Sequence, residues 1–179
     1  MILGLDISTS ITGVTVIDTN NNILFCEHLD TRNKNKFPSL LKKAHFIREN
    51  LSQIKSTYNI ETIFIEESLQ SFRSGFSSAK TLSTLSKING IVSYLCYEVF
   101  DIEPEYVAST SARKLCGIKI PRGSKAKQVV LKFLLDNEPS FAVEYTKHGN
   151  PKPGFYDRAD SLIIARAGLE LCKQKNLKS

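Results

Sequence analysis

The sequence predicts an α/β domain built on a mixed central sheet with helices on both faces. Two observations lead there: the chain opens on short β-branched runs joined by tight turns, and further on strand-like runs alternate with helical ones. Ile2-Leu3-Gly4-Leu5-Asp6 reads as a short buried strand and Thr12-Gly13-Val14-Thr15-Val16-Ile17 as a second, because branched side chains suit a pleated surface. Residues 18–22 (DTNNN) form a turn, and Ile23-Leu24-Phe25 opens a third strand. Three strands on tight turns make an antiparallel meander.

From Phe37 the period changes. Phe37, Leu40, Leu41, Ala44, Ile47, Leu51, Ile54 and Tyr58 recur at three- and four-residue spacing, an amphipathic helix with Pro38 near its start, where a missing N–H is tolerated. Thr62-Ile63-Phe64-Ile65-Glu66 is an almost wholly apolar strand ending in a charge, the pattern of a central strand covered on both faces. A polar loop follows at 69–78, then a helix to about Phe100 with Leu82, Leu85, Ile88, Val92 and Leu95 on one face. Residues 105–108 form a short strand, and a Ser/Thr cluster caps a helix to Leu115 that Gly117 stops. Ser124 caps another helix carrying Val129, Val130, Phe133 and Leu134. The three prolines of 137–156 mark an irregular loop, and the last helix spans about 157–172. With no repeat or linker, residues 1–179 are expected to form one domain.

A chain of 179 residues can bury a core without disulfides or a structural metal. It has no apolar run of about 18 residues, so no membrane span is expected. The opening MILGLDIS lacks the charged and apolar regions of a secretory signal. Cys26, Cys96, Cys116 and Cys172 form no C-x-x-C pair, and the three histidines share no motif with them. Reduced thiols in a cytoplasmic setting are the expectation, rather than zinc chemistry. The net charge of +6 favours a polyanionic partner.

The acids carry the functional signal. Asp6 and Glu66 each close an apolar strand, where a carboxylate is poor for stability. On neighbouring strands they would meet at one end of the sheet, where repulsion is relieved by a cation or by a proton. Asp6 alone is read equally well as the residue opening the Ser8-Thr9-Ser10 bend. Asp157 and Asp160, three apart, project from one face of a helix start, where acids are also common for the sake of the helix dipole. Together the four supply hard oxygen ligands, which select Mg²⁺ or Mn²⁺ over zinc and suit a two-ion site for phosphodiester hydrolysis. Strand alternation allows only one of Glu66 and Glu67 to face Asp6 and does not choose between them.

These segments resemble the RuvC-type Holliday-junction resolvases. The opening M-I-L-G-L-D-I-S-T-S-I-T-G-V is similar to that family's first strand, aspartate and T-G step, and Ile65-Glu66-Glu67 to its I-E-x element. Tyr106-Val107-Ala108 through Arg113-Lys114 to Gly117 resembles the next strand and basic segment, and residues 123–129 the basic segment after it. Asp157-Arg158-Ala159-Asp160-Ser161-Leu162 resembles its closing D-x-x-D element. The resemblance implies an RNase H-like fold, with an antiparallel three-strand meander plus two parallel strands. It implies a homodimer and cleavage of four-way junctions or other branched DNA with two Mg²⁺ ions, Mn²⁺ substituting, in a bacterial cell or phage-infected host. By position it assigns the metal ligands to Asp6, Glu66, Asp157 and Asp160, choosing Glu66 over Glu67, and sets Lys114 and Lys127 near the phosphate. Two departures are visible: Asp6-Ile7-Ser8 stands where bacterial members show D-P-G, and Leu69 where the family has a junction-stacking phenylalanine. With the long 137–156 loop, they resemble phage or viral relatives.

Basic residues fall in three groups expected near the acids: Arg73, Lys80 and Lys87; Arg113, Lys114, Lys119, Arg122, Lys125 and Lys127; and Lys147, Lys152 and Arg158. Such groups bind phosphate with little regard for sequence. Lys42, Lys43 and the lysines of 173–178 read as solvated surface. Phe72 and Phe76 flank Arg73 in a polar loop, suited either to stacking on unpaired bases or to packing on a partner subunit or the following helix. Two other functions share these features: an RNase H-like nuclease with broader branched or RNA–DNA hybrid substrates, and a non-catalytic nucleic-acid- or nucleotide-binding module. Actin-like ATPases also open on D-x-S/G-T, but they need a second, glycine-rich lobe that this chain does not contain.

Overall fold

The computed structural model describes residues 1–67 and 79–177. In chain order the elements are β1 (Ile2–Asp6), β2 (Ile11–Ile17), β3 (Ile23–Asp30), α1 (Leu40–Thr57), β4 (Thr62–Glu66), α2 (Ala79–Phe100), β5 (Glu105–Val107), α3 (Ser109–Leu115), α4 (Ala126–Asn137) and α5 (Phe155–Asn176). The strands form one sheet in the order β3-β2-β1-β4-β5. β1–β2 and β2–β3 pair antiparallel, whereas β1–β4 and β4–β5 pair parallel, giving the mixed sheet the sequence predicts.

Period-two alternation divides the core. Leu3 and Leu5 of β1 and Ile63 and Ile65 of β4 face α1 and α2, meeting Ala44, Ile47, Leu51, Ile88 and Val92. Ile2, Phe64 and Val107 face the other way, into a second cluster with Val130 and Leu134 of α4 and Leu162, Ile163 and Ile164 of α5. β1 is therefore covered on both faces, which explains its lack of polar alternation.

α5 lies on β1 and β2 at backbone contact. A Cβ at Gly4 would stand 2.6 Å from the Ala165 nitrogen and the Ser161 carbonyl oxygen, and one at Gly13 only 1.9 Å from the Asp157 carbonyl oxygen. From the helix side, the absent side chain of Gly168 makes room for the Phe64 ring. Beneath α5 the hydroxyls of Thr15 and Ser161 hydrogen bond at 2.8 Å, and Ser161 also donates to the Arg158 carbonyl at 2.9 Å. Every polar atom of that buried pair is thereby served. Farther along, Arg166 of α5 pairs with Glu138 at the C-cap of α4, both largely buried.

Several boundaries differ from the sequence expectation. Phe37 lies outside α1, buried, with its ring 5.0 Å from Phe46, and Ser39 is the N-cap, accepting from the Lys42 N–H at 3.3 Å. The Ser/Thr cluster falls inside α3, whose N-cap is Ala108 without a side-chain bond. Ser124 does not cap α4; its N–H closes a turn onto the Pro121 carbonyl, and Lys125 takes the cap position. α5 begins two residues earlier than expected, after Gly154 at φ 95°, and extends to Asn176. The 137–156 stretch contains a small hairpin in which Tyr145 bridges Pro151 and Thr146 N–H donates to Asn150. Only α3 and α4 lack the side-chain caps expected for them; their first carbonyls, Ala108 and Lys125, accept from the Ala112 and Val129 N–H groups.

Gly13→Ala is expected to destabilise the fold by about 1–3 kcal/mol or more, the range for forced overpacking. Denaturant unfolding of the variant beside the parent measures this, and equal midpoints would contradict the close seating of α5.

Candidate active site

The register Leu5↔Ile65 brings the carboxyl ends of the parallel strands β1 and β4 side by side. Alternation turns Asp6 and Glu66 toward α5, on the face of Gly4 and Phe64. Gly13, paired with Asp6 across β1–β2, lies under the carbonyl of Asp157, so the first turn of α5 starts above that strand end. One helical step on, Asp160 comes onto the same side. From the start of α4, Lys127 reaches in, its Nζ 3.3 Å from Asp160 Oδ2.

The charges sense one another. Asp6 holds its proton well above the ordinary aspartate range, first because of burial, then through the negative charges of Glu66 and Asp160, with Asp157 adding a smaller push and Lys127 opposing. Burial likewise drives Asp160 up to about 6, Glu66 and Asp157 adding to it while Lys127 acts against it. Asp157 is raised mainly by burial, with Lys127, His28 and Arg32 opposing. Burial works against the Lys127 ammonium, yet Asp160, Asp6 and Asp157 outweigh it and raise its pKa.

Asp6, Glu66, Asp157, Asp160 and Lys127 are thus brought together. Glu66 is the acid acting on Asp6, whereas Glu67 is exposed and its N–H pairs with the Val107 carbonyl. The bend after Asp6 is held by Ser8, whose hydroxyl donates to the Ile11 carbonyl at 2.6 Å and accepts from the Ile11 N–H at 3.0 Å. A turn-forming role for Asp6 is therefore superfluous. Lys114 lines a surface hollow with Thr110, Arg113, Gly117, Lys119 and Ala126, the residue before Lys127. Of the other basic residues, Lys152 is engaged by Glu144 at 2.6 Å, and the Arg158 guanidinium lies over the rings of Phe155 (4.9 Å) and Phe141 (5.6 Å). Leu69, Phe72, Arg73 and Phe76 lie outside the described residues.

Sequence reading overlooked His28 and Arg32, both of which act on Asp157. His28 stands opposite Gly13 across β2–β3, its ring against Gly154 and 6.4 Å from that of Phe155. The signal was present in the alternation of β3, which carries His28 to the α5 face together with buried Cys26.

The donor set fits a hard divalent cation: four carboxylates, with no thiol among them. Among the described residues no three His, Cys, Asp or Glu side chains stand close enough to grip an ion as they are. Closing on one would take side-chain rotation at these positions and release of Asp160 from Lys127.

No protein-family model and no curated protein matches the chain. Solved structures do. Thermus thermophilus RuvC in complex with a Holliday junction substrate matches with a TM-score of 0.67 at 15% identity, over 97% of this chain and 94% of that one. The fold is that of RuvC-type resolvases. A second Thermus thermophilus RuvC structure matches with a TM-score of 0.61 at 16% identity, over 97% and 96%. The yeast mitochondrial Holliday junction resolvase Ydc2 gives 0.64 at 16% identity, over 98% of this chain and 80% of its own. On this RuvC-type frame the four acids gather at one end of the central strand pair. No helix among the described residues is long and apolar enough to cross a membrane.

Asp160 is held at about 6 in the folded chain, above the roughly 3.9 of an unfolded aspartate. Its contribution to stability is fully present below pH ~4 and is lost as pH rises through 6. Asp160→Asn is therefore expected to exceed the parent in metal-free stability at pH 8 by about 1–3 kcal/mol, the gap closing toward pH 4. Denaturant unfolding at the two pH values checks this, and parallel profiles would count against it.

Proposed function

We propose that the chain is a metal-dependent endonuclease that cuts branched DNA, four-way junctions foremost, with two Mg²⁺ ions. The observation that carries this reading is the convergence of Asp6, Glu66, Asp157 and Asp160, with Lys127, at one end of a RuvC-type sheet. The structural neighbours are Holliday junction resolvases, one of them bound to a junction, and this supports the choice of substrate.

In this reading the four carboxylates hold the ions, which when bound would polarise the scissile phosphate and make the attacking water more acidic. Asp6, between Glu66 and the α5 pair, is the shared anchor. Asp157 and Asp160 offer oxygens from one helix face at a spacing fixed by the helix itself. Lys127, with its raised pKa, stays charged at neutral pH and is free, once released from Asp160, to hold a phosphate oxygen. The water gives up a proton as its oxygen bonds to phosphorus, the bond from phosphorus to the sugar oxygen breaks, and the departing oxygen takes up a proton. Lys114, in the hollow that also borders the start of α4, would add positive charge for the phosphate.

Two symmetric cuts need two copies. A homodimer is supported by the face where exposed Tyr94 and Tyr97 of α2 meet Tyr106 of β5 and Pro104, a grouping of aromatics enriched at protein interfaces. Sedimentation of the free protein should give twice the chain mass, and Tyr94→Arg with Tyr97→Arg should return it to the monomer.

The central test is cleavage of a synthetic four-way junction with Mg²⁺ at matched salt beside linear duplex and an RNA–DNA hybrid. Junction cutting should dominate, and Asp6→Asn and Asp160→Asn should each lower it about 10²–10³-fold or more while junction binding persists. Full cutting by either variant would defeat the metal-site assignment, and equal cutting of all three substrates would defeat the junction preference.

A further inference from the structure

A second basic site lies around the rim from the acids. The turn after Asp6 (Thr9, Ser10), the segment leaving β3 (Arg32, Lys34) and the starts of α1 (Ser39, Lys43) and α2 (Thr84) enclose a hollow of about 460 Å³. Among the described residues its walls carry three cations and four hydroxyls and no carboxylate, and the first turn of α1 adds no acid. Asp30 engages Arg32 through Nε and Nη2, the shorter contact being 2.6 Å, so the excess positive charge rests chiefly on Lys34 and Lys43.

The hollow is built rather than incidental. Lys43, which sequence alone assigns to solvated surface, is half-buried and donates from Nζ to the Thr9 carbonyl. The Thr31 N–H and hydroxyl both donate to the Ser10 carbonyl, at 2.8 and 3.0 Å. α1 and the end of β3 are thus both tied to the turn that issues from Asp6. Arg32 links the two sites, lining the hollow while its charge acts on Asp157.

We infer that this hollow seats a backbone phosphate of the DNA whose scissile phosphate lies at the acids. The inference rests on the nuclease reading and extends it to a second contact on the α1 side of the sheet. A phosphodiester matches the chemistry: one diffuse negative charge and oxygens that accept from ammonium and hydroxyl groups, with no base contact to impose sequence. The contact positions the strand and takes no part in bond breaking.

The test is the salt dependence of junction binding, by fluorescence anisotropy in EDTA, for the parent, Lys34→Ala, Lys34→Glu, Lys34→Ala/Lys43→Ala and Lys42→Ala. Each lost phosphate contact should reduce the slope of log K against log[salt] by about 0.9. Lys34→Ala and the double variant should therefore flatten the slope and weaken binding alike on junctions of different sequence. Lys34→Glu should weaken binding further still. Lys42→Ala, exposed one residue away on α1, should follow the parent. Because Lys43 also braces the turn, Lys34→Glu is the deciding variant: a parent-like slope there overturns the inference. A parent that binds no junction at all overturns the nuclease reading and this contact with it.

Discussion

The structure depends on α5 meeting the backbone of β1 and β2 directly at two glycines. Gly4 and Gly13 are where this happens, and at both a single methyl group would meet main-chain atoms of the helix. Helices usually keep 8–10 Å from a neighbour because side chains intervene. Here the first turn of α5 is lowered onto the strand pair at the end where Asp6 emerges. Without that approach, the acids of α5 and those of the sheet would belong to two separate surfaces.

Bringing four acids together has an electrostatic cost that the fold tolerates only in part. Burial raises Asp6, Asp157 and Asp160, repulsion from neighbouring acids adds to it at Asp6 and Asp160, and Lys127 offsets some of it at all three. Hydrophobic packing on both faces of β1 and β4 supplies the stability that lets such a cluster persist, since Leu3, Leu5, Ile63, Phe64 and Ile65 are fully buried.

Much of this was legible in the sequence because it is written in periodicity. The change from period two to helical spacing gave every element in order, and an acid at the end of an apolar run flagged Asp6 and Glu66. Alternation alone left Glu66 and Glu67 open; the parallel register with β1 and the facing of Phe64 toward α5 resolve the geometry. Helix ends were the weak point. Ser124 and the 109–111 cluster have the chemistry of caps, but the chain caps those helices without side chains. Arg32, His28 and the role of Lys43 were missed because they depend on contacts between segments far apart in sequence. Gly4 and Gly13 read as neutral strand residues, since a position that matters for what it lacks leaves no mark in composition.

The partly buried pair of Arg166 and Glu138 has a mechanical meaning. α4 holds Glu138 at its C-cap and Lys127 in its first turn, so its 12 residues form a rigid arm about 18 Å long. Anchored at one end by a partly buried ion pair, the arm holds at its other end a positive charge beside the carboxylates. Small rotations at the pivot are magnified along the arm, so the reach of Lys127 toward Asp160 is set by a contact that touches neither residue.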